Sequence, residues 1–337
     1  MNSHPIVPLL TNAITARADL FDTRHEGAFR LFNGFFEGYP ELVIDLYART
    51  IVLHDYAESP QQAERESMLL AVQAFLRSHL PWVGAIVLKT RHATTHEERC
   101  GVIIYGEKVD RQIREGARGV RYAIDLLMNR DASFYLDTRN VRAWGIEHLA
   151  GKQVLNTFAY TGSLGVAAMA GGASRVVHTD LNRTFLNVAK TSYTLNGFPI
   201  NKKDFKVGDF WTIMNRLKRS GDPLFDCVFL DPPFFSKTKN STIKMLTDSH
   251  RLINKVRPLI NDGGYLVAIN NSLFLSGAAY MQTLETLCAD GYLFIEALIP
   301  VPPDITGYPQ TIVRSLPVDP APFNHATKIA LLRVTRK

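Results

Sequence analysis

Cysteine is scarce in this chain of 337 residues: Cys100, Cys227 and Cys288 are widely separated and odd in number. They offer neither a disulfide framework nor a CxxC metal knuckle, which predicts no metal site and a reducing cytoplasm as the location. Long apolar runs are missing too, since no stretch reaches the roughly 18 residues of a membrane span. The first residues lack the pattern of a secretory signal, and neither an internal repeat nor a low-complexity segment is visible. These absences indicate a cytoplasmic globular protein that does not cross a membrane.

The net charge of +6 is unevenly distributed along the chain. Residues 1–128 contain 14 lysines and arginines against 16 acidic residues, whereas residues 129–337 contain 24 against 16. A basic surplus confined to the second part favours a polyanionic partner there. An ordinary solvated surface explains the same charge, so both interpretations stay open.

The apolar content of 46% is enough for two hydrophobic cores. Residues 1–128 predict a small α+β domain, with short strands such as Leu42–Tyr47 and an amphipathic helix near residues 61–80. From residue 129 onward, strands alternate with helices, which is typical of a parallel sheet. We therefore predict a small α+β domain over 1–128, with a substrate-binding role as one option, and a catalytic α/β domain over 129–337.

The most informative motif is Asp231-Pro232-Pro233-Phe234, which directly follows the largely apolar run Phe225–Leu230. Such a run is typical of a buried parallel strand, and in open α/β sheets ligands bind at the carboxyl ends of the strands. The prolines stiffen the turn and leave carbonyl groups outside the hydrogen-bond ladder. Phe234 adds a flat apolar face. The motif therefore predicts a site for a planar nitrogenous ring, as in base-modifying methyltransferases.

Three other predicted strands end at the same edge, near Gly162, Asp180 and Asp209. Small residues around Gly162 let a ligand approach backbone N–H groups at a helix N-terminus, although a tight turn without a ligand has the same pattern. A carboxylate at Asp180 suits the two hydroxyls of a ribose. Asp209 is placed to accept from an adenine amino group. The predicted cofactor-binding residues are Phe158, Tyr160, Thr161, Gly162, Ser163, Asp180, Leu181, Asp209, Phe210 and Asp231.

A dinucleotide is the competing cofactor for such a fold. A pyrophosphate binder needs a Gly-x-Gly-x-x-Gly turn, whereas Phe158, Tyr160 and Thr161 occupy this stretch here. These side chains leave little room for a pyrophosphate but suit a nucleoside with a compact sulfonium and amino-acid tail. We therefore predict S-adenosylmethionine.

The runs Phe134–Arg139, Val154–Gly162 and Asp231–Phe234 occur in an order that resembles the bacterial large-subunit ribosomal RNA methyltransferases. These are class I enzymes that depend on S-adenosylmethionine. The segment from Arg30 to Asp45 is similar to the small domain of the cytosine-5 branch. The resemblance implies a Rossmann-like α/β fold with a seven-stranded, mostly parallel sheet, whose last strand, near residues 328–335, runs antiparallel.

The chain departs from the cytosine-5 branch in two ways. That branch carries an N-terminal RNA-binding module, which we expect this chain to lack. It also places a nucleophilic cysteine after the fifth strand, where this chain has Asn270, Asn271 and Ser272. Carbon 5 of cytosine is a poor nucleophile until a thiolate adds to the ring, so cytosine-5 methylation is disfavoured.

The asparagine pair instead resembles the guanine-N7 branch, which also has a basic run after its Asp-Pro-Pro motif. N7 of guanine has an in-plane lone pair, so catalysis needs only alignment of N7 with the methyl group. Asparagine side chains can hold the ring by donating to O6, although they can also simply cap a turn. The predicted catalytic residues are Asp231, Pro232, Pro233, Phe234, Asn270 and Asn271. The predicted RNA-binding residues are Lys237, Lys239 and Arg139.

Three functions compete at this point. The favoured one is an RNA base methyltransferase acting on large-subunit ribosomal RNA, at guanine N7 rather than at cytosine C5. A small-molecule methyltransferase would make the basic surplus incidental. A non-catalytic RNA-binding assembly factor is the third, and the acidic residues at three strand ends argue against it.

Overall fold

The computed structural model describes residues 4–58, 62–221, 223–237 and 242–336. They form two compact units, Met1–Leu136 with Pro303–Ser315, and Asp137–Pro302 with Leu316–Lys337. The first unit therefore extends beyond the boundary that we predicted after residue 128. It also includes a segment from the C-terminal part of the chain, which the sequence did not reveal.

The first unit contains a five-stranded sheet in the order β1-β2-β3-β4-β5, in which only β3 and β4 are parallel to each other. Helices α1 and α3 pack on one face, where Leu10, Leu53 and Leu76 share a buried core. The strands are β1 (Ala28–Asn33), β2 (Leu42–Tyr47), β3 (Thr50–Asp55), β4 (Ala85–Thr90) and β5 (Val102–Tyr105), followed by the hairpin of β6 (Gln112–Glu115) and β7 (Val120–Ala123). The helices are α1 (Ile6–Ala16), α2 (Gly34–Glu37), α3 (Gln62–His79) and α4 (His96–Cys100).

The second unit is built on a seven-stranded sheet in the order β10-β9-β8-β11-β14-β16-β15. Its strands are β8 (Gln153–Thr157), β9 (Arg175–Asp180), β10 (Phe205–Val207), β11 (Phe225–Leu230), β14 (Ile260–Asn270), β15 (Leu293–Leu298) and β16 (Lys328–Val334), with a small ribbon of β12 (Phe235–Lys237) and β13 (Thr242–Lys244) between β11 and β14 in the chain. The helices are α5 (Arg139–His148), α6 (Ser163–Ala170), α7 (Arg183–Leu195), α8 (Phe210–Arg219), α9 (Met245–Val256) and α10 (Gly277–Cys288).

Strands β8, β9, β10, β11 and β14 are parallel, and β16 runs antiparallel to both β14 and β15. The predicted fold class, a mostly parallel seven-stranded sheet with an antiparallel last strand, is confirmed. Because β16 runs in the opposite direction, its first residue, Lys328, pairs with Asn270 at the carboxyl end of β14. This pairing brings the start of β16 to the edge where the predicted site lies.

The segment Pro303–Ser315, which contains α11 (Pro303–Thr306), is held in the first unit by buried polar contacts. Arg17 forms an ion pair with Glu37 at 2.9 Å and donates to the carbonyl oxygen of Asp304 at 3.1 Å. The hydroxyl of Thr311 donates to Glu37 at 2.6 Å. Asp304 and Thr311 are each more than 250 positions away in the chain from the residues that they contact, Arg17 and Glu37. No local pattern predicts such an association.

Among the described residues, no helix combines the length and the apolar character needed to cross a lipid bilayer.

Candidate cofactor and substrate site

The parallel strands of the second unit end at one edge of the sheet. Thr157, the last residue of β8, is in register with Thr179 of β9 on one side and with Leu230 of β11 on the other. Leu230 in turn pairs with Ala268 of β14, two residues before that strand ends. The segments that follow these strands, which contain most of the predicted site residues, are therefore brought to one edge, as the sequence predicted.

The turn after β8 has an unusual backbone. Phe158 and Tyr160 have positive φ angles of 50° and 51°, and Gly162 has one of 82°. Side chains at positive φ cost about 1–3 kcal/mol each and occur mostly where the surrounding structure enforces them. In this turn a hydrogen bond holds the backbone of Tyr160 in place: its N–H donates to Oδ2 of Asp180 at 2.8 Å. Thr161 is buried and Ser163 begins α6, whereas Phe158 and Tyr160 are partly buried.

Gly162 is required by packing as well as by its backbone conformation. A Cβ atom at this position would lie 2.5 Å from the Cβ of Ala189 in α7, well inside van der Waals contact. Gly165 is limited in the same way, because its Cβ would lie 2.3 Å from Cε1 of His178. The glycines of the motif therefore let α6 approach α7 and β9, in addition to any ligand approach that the sequence suggested.

Asp180 anchors the cofactor edge through both carboxylate oxygens. Oδ1 accepts from the N–H of Asn182 and Oδ2 from the N–H of Tyr160, both at 2.8 Å. Burial raises the pKa of this carboxyl group, and the backbone donors partly oppose the shift. Each oxygen can accept more than one hydrogen bond, so the carboxylate can still receive ribose hydroxyls. Leu181, next in the chain, is 55% exposed and offers an apolar surface beside it.

Asp209 and Phe210 have structural partners. Oδ1 of Asp209 accepts from the backbone N–H of Thr212 at 3.1 Å, so Asp209 is the N-cap of α8. The ring of Phe210 is buried and stacks on that of Phe158 at 4.6 Å. We therefore assign Phe210 to support of the more exposed Phe158 ring rather than to direct contact with a cofactor. Asp209 therefore caps α8, and it also lies just after the end of β10, the position for which a contact with an adenine amino group was predicted.

The Asp231 motif extends from the end of β11, with Pro232 buried and Phe234 47% exposed. Burial, with a smaller contribution from the charge of Asp137, raises the pKa of Asp231 to about 7. Asp137 itself accepts from the hydroxyl of Thr327 at 2.8 Å. The site thus contains a carboxyl group whose charge changes near neutral pH, next to an aromatic ring that faces solvent.

The two asparagines that end and follow β14 have different environments. Asn270 is fully buried, donates to Oγ of Ser249 at 3.0 Å and accepts from the N–H of Ser272 at 2.9 Å. Its side chain therefore holds the strand end together, which corrects its predicted contact with the substrate. Asn271 is only partly buried as a residue, but its Oδ1 is buried and has no hydrogen-bond partner among the described residues. Of the two asparagines, only Asn271 keeps an amide oxygen without a hydrogen-bond partner among the described residues, and its contact with a substrate stays a prediction.

Lys328 is a member of this site that the sequence did not indicate. Its side chain is fully buried, and Nζ donates to the carbonyl oxygens of Ser272 and Ala326 at 2.8 and 2.5 Å. Burial lowers the pKa of Lys328 to about 8. The lysine connects the segment after β14 to the segment before β16. The only signal in the sequence is a lysine at the head of an apolar strand, and that pattern alone is uninformative.

The predicted RNA-binding residues are less well defined. Arg139 is the first residue of α5 and is partly buried. Lys237 is the last residue of β12, and its side chain is not described. Lys239 lies outside the described residues. Their contacts with RNA stay predictions. Among the described residues, no group of three or more His, Cys, Asp or Glu side chains is placed to hold a metal ion.

These residues fit S-adenosylmethionine. Asp180 offers oxygen acceptors for a ribose, Leu181 and Phe158 offer apolar surface for an adenine, and Asp231 offers a carboxylate for the positively charged tail. When bound, S-adenosylmethionine supplies an electrophilic methyl group. Together with the strand order, this acceptor set defines a class I methyltransferase.

Comparisons with known proteins agree with this class. Residues 30–311 match the family described as S-adenosylmethionine-dependent methyltransferase, and the chain belongs to that family. The predicted enzyme class and cofactor are therefore confirmed. The chain is 31% identical over 265 residues to a putative ribosomal RNA large subunit methyltransferase of Bacillus subtilis, covering 78% of this chain and 65% of that protein.

Two further similarities are informative. The chain is 26% identical over 277 residues to ribosomal RNA large subunit methyltransferase I of Vibrio cholerae, covering 81% of this chain and 68% of that protein. A putative S-adenosylmethionine-dependent methyltransferase from Streptococcus mutans has a solved structure with a TM-score of 0.82 at 21% identity, covering 99% of this chain and 82% of that one. This structural likeness supports the fold.

Replacing Asp180 with alanine is expected to weaken S-adenosylmethionine binding by about 1.5–3 kcal/mol, because a charged acceptor and the anchor of the Tyr160 turn are lost together. Titration calorimetry measures the change. Asp204→Ala is the matched control, since Asp204 pairs with Arg175 at the opposite end of β9, at 2.6 Å. Unchanged affinity in a folded Asp180→Ala protein would place the cofactor elsewhere.

Proposed function

We propose that this chain methylates a base of large-subunit ribosomal RNA, with N7 of guanine as the favoured target. The observation that carries the proposal is the end of β14, where no cysteine follows the strand and the buried amide oxygen of Asn271 has no hydrogen-bond partner among the described residues. The names of the Bacillus and Vibrio relatives support ribosomal RNA as the substrate. The chain spans about two thirds of the length of these proteins, so their activity is carried over here as part of the proposal.

The thiols of the chain support a mechanism without a covalent intermediate. Cys227 is fully buried within β11, and burial raises the pKa of its thiol well above the usual value. Cys288, at the end of α10, also has a raised pKa, with burial as the main cause. Cys100 lies in α4 of the first unit. A thiolate nucleophile at the carboxyl end of β14 is therefore missing, which disfavours addition to a cytosine ring.

A ring nitrogen with a free lone pair needs no such nucleophile. N7 of guanine attacks the methyl group directly, so the protein has to desolvate the base and align N7. The amide of Asn271 has one donor and one acceptor side by side, which matches the adjacent O6 and N1–H of guanine. Pairing on that edge leaves N7 free. Phe234, 47% exposed, is placed to stack on a base taken out of its helix.

Mass spectrometry of ribosomal RNA nucleosides tests the proposal. RNA from a strain that lacks the gene should have lost one 7-methylguanosine, and the purified protein should restore it with S-adenosylmethionine. Loss of 5-methylcytidine instead would make the cytosine-5 alternative correct. Ribosomal RNA that is identical in both strains would contradict the proposal and favour a small-molecule substrate.

Simultaneous replacement of Cys100, Cys227 and Cys288 with alanine or serine should leave methyl transfer detectable, because none of these thiols is expected to react. Some stability should be lost, since two of the side chains are buried. Denaturing electrophoresis with RNA containing 5-fluorocytidine gives an independent measurement. A stable adduct of protein and RNA in the wild type would show that a cysteine does take part.

A further inference from the structure

A second polar cluster lies in the first unit, at the carboxyl ends of the two parallel strands β3 and β4. Tyr56 follows β3 and Arg91 follows β4, and these ends are adjacent because Asp55 is in register with Thr90. The guanidinium carbon of Arg91 lies 5.3 Å from the centre of the Tyr56 ring. Arg130 joins them by donating to the carbonyl oxygen of Arg91 at 2.8 Å. We call these residues, with Arg30 and His54, the Arg91 cluster.

Among the described residues, the hydrogen bonds of the Arg91 guanidinium are all long. Its terminal nitrogens lie 3.4 Å from Oδ1 of Asp131 and 3.3 Å from the hydroxyl of Tyr56. Charge-assisted hydrogen bonds between a guanidinium and a carboxylate are normally about 2.7–2.9 Å. Nε of Arg91 is buried and has no hydrogen-bond partner among the described residues. One donor, Nε, is thus unsatisfied among the described residues and the terminal nitrogens have only long hydrogen bonds, so a closer acceptor would improve the pairing of this guanidinium.

Arg30, in the same sheet, differs from Arg91 because its guanidinium has a short hydrogen bond to a carboxylate. Its Nε donates to Oδ1 of Asp45 at 2.8 Å, and the two side chains form a compact ion pair. Arg65 is likewise paired with Asp55. Asp45 and Asp55 are therefore already paired with Arg30 and Arg65, respectively. Asp131, at 3.4 Å, is the only carboxylate paired with Arg91 among the described residues.

His54 supports the presence of an anion-binding environment. Its Nε2 lies 3.3 Å from Oδ2 of Asp45, while its Nδ1 is buried without a hydrogen-bond partner among the described residues. Burial is the main cause of its lowered pKa; the hydrogen bond and charge of Asp45 oppose this shift, and the positive charges of Arg91 and Arg30 make smaller contributions that lower the pKa. The histidine therefore experiences a positive field from these arginines.

We propose that the Arg91 cluster binds a phosphate group of the RNA backbone, with the Arg91 guanidinium as the principal ligand and the exposed Arg130 beside it. This rests on the proposed function in one respect, namely that RNA is the partner. A phosphate oxygen provides the short acceptor that Asp131 does not, and guanidinium groups suit phosphate geometry. Tyr56, 38% exposed, adds an aromatic face on which an adjacent nucleotide can stack.

The test measures RNA binding by the full-length protein without cofactor, using fluorescence anisotropy of a short single-stranded RNA over a range of salt concentrations. Arg91→Gln should weaken binding by about five- to tenfold at low salt and reduce the salt dependence by about one phosphate contact. Arg91→Lys should fall between this variant and the wild type. Arg77→Gln is the matched control, because Arg77 also stacks on a tyrosine of the first unit, Tyr105, at 4.4 Å.

Equal affinity and salt dependence in Arg91→Gln and Arg77→Gln would overturn the proposal. If Arg91→Gln lowers the melting temperature, Arg130→Gln gives the same comparison at an exposed side chain. Inorganic phosphate and polyglutamate serve as competitors, and displacement of RNA by polyglutamate at similar concentrations would indicate an acidic protein as the partner. A reduced affinity for inorganic phosphate alone, with RNA binding unchanged, would also refute the RNA assignment.

The test of this phosphate site can fail or succeed independently of the test of the proposed methyltransferase function. Arg91→Gln should raise the KM for RNA in methyl transfer, with unchanged affinity for S-adenosylmethionine. Methyl transfer without any effect of Arg91 on RNA affinity would refute only this inference. An effect of Arg91 on RNA affinity without any methylated nucleoside would refute only the proposed function.

Discussion

Phe234→Ala is expected to slow methyl transfer by roughly 5- to 150-fold while affinity for S-adenosylmethionine stays the same. The side chain is 47% exposed after the Asp231-Pro232-Pro233 turn, and stacking on a base is worth about 1–3 kcal/mol. A base that is not held by stacking spends less time aligned with the methyl group. Single-turnover methyl transfer and cofactor calorimetry on the same preparation measure the two quantities.

Phe294→Ala is the matched control for this variant, because Phe294 is 46% exposed but lies on β15 at the edge of the sheet. It should leave methyl transfer unchanged. Asn271→Ala should also slow transfer without weakening cofactor binding, since it removes the unpartnered amide oxygen. Full activity in both Phe234→Ala and Asn271→Ala would mean that the base binds elsewhere.

Asp231→Asn is expected to weaken cofactor binding by about 1.5–3 kcal/mol and to lower turnover as well, because a charged acceptor near both ligands is lost. The pKa of Asp231 is raised to about 7, so the carboxyl group is mostly protonated below neutral pH and mostly ionised above it. A positively charged cofactor binds the ionised form better. In the wild type, affinity should therefore increase as the pH rises through about 7, and binding should release protons.

The same variant should be more stable than the wild type at alkaline pH. The pKa of Asp231 in the folded protein exceeds its usual value of 3.8, so the folded state holds the proton more tightly than the unfolded chain. Stability therefore decreases as the pH rises from about 4 through about 7, and asparagine removes this effect. We expect a higher melting temperature for Asp231→Asn at about pH 8 and a difference that disappears towards about pH 4.

Asp226→Asn is the control for Asp231→Asn, because Asp226 lies near the amino end of β11 and accepts from the N–H of Gln153 at 2.8 Å. It should change stability without changing the pH dependence of cofactor affinity. If Asp231→Asn retained the pH profile of the wild type, Asp231 would not be the group that titrates near neutrality.

The sequence by itself determined the elements of the second unit and the edge where the site lies. Residues 225–230 were predicted as a strand with the bounds that the structure has, and the strand predicted to end near Asp180 ends at that residue. This was possible because buried parallel strands are short apolar runs, and because residues that follow such strands meet at one edge. The absence of a cysteine after β14 was also readable directly from the chain. These features depend on local composition and chain order.

Only the tertiary structure decided which side chains face the site. Asn270 and Asn271 are equivalent in the sequence, but Asn270 is buried in contact with Ser249, whereas the amide oxygen of Asn271 has no hydrogen-bond partner among the described residues. Lys328 joins the site because an antiparallel strand brings residues 270 and 328 together. The long contacts of Arg91 likewise depend on two strand ends and a distant Asp131. Burial and pairing between distant segments have no local signature, since they arise only when the whole chain has packed.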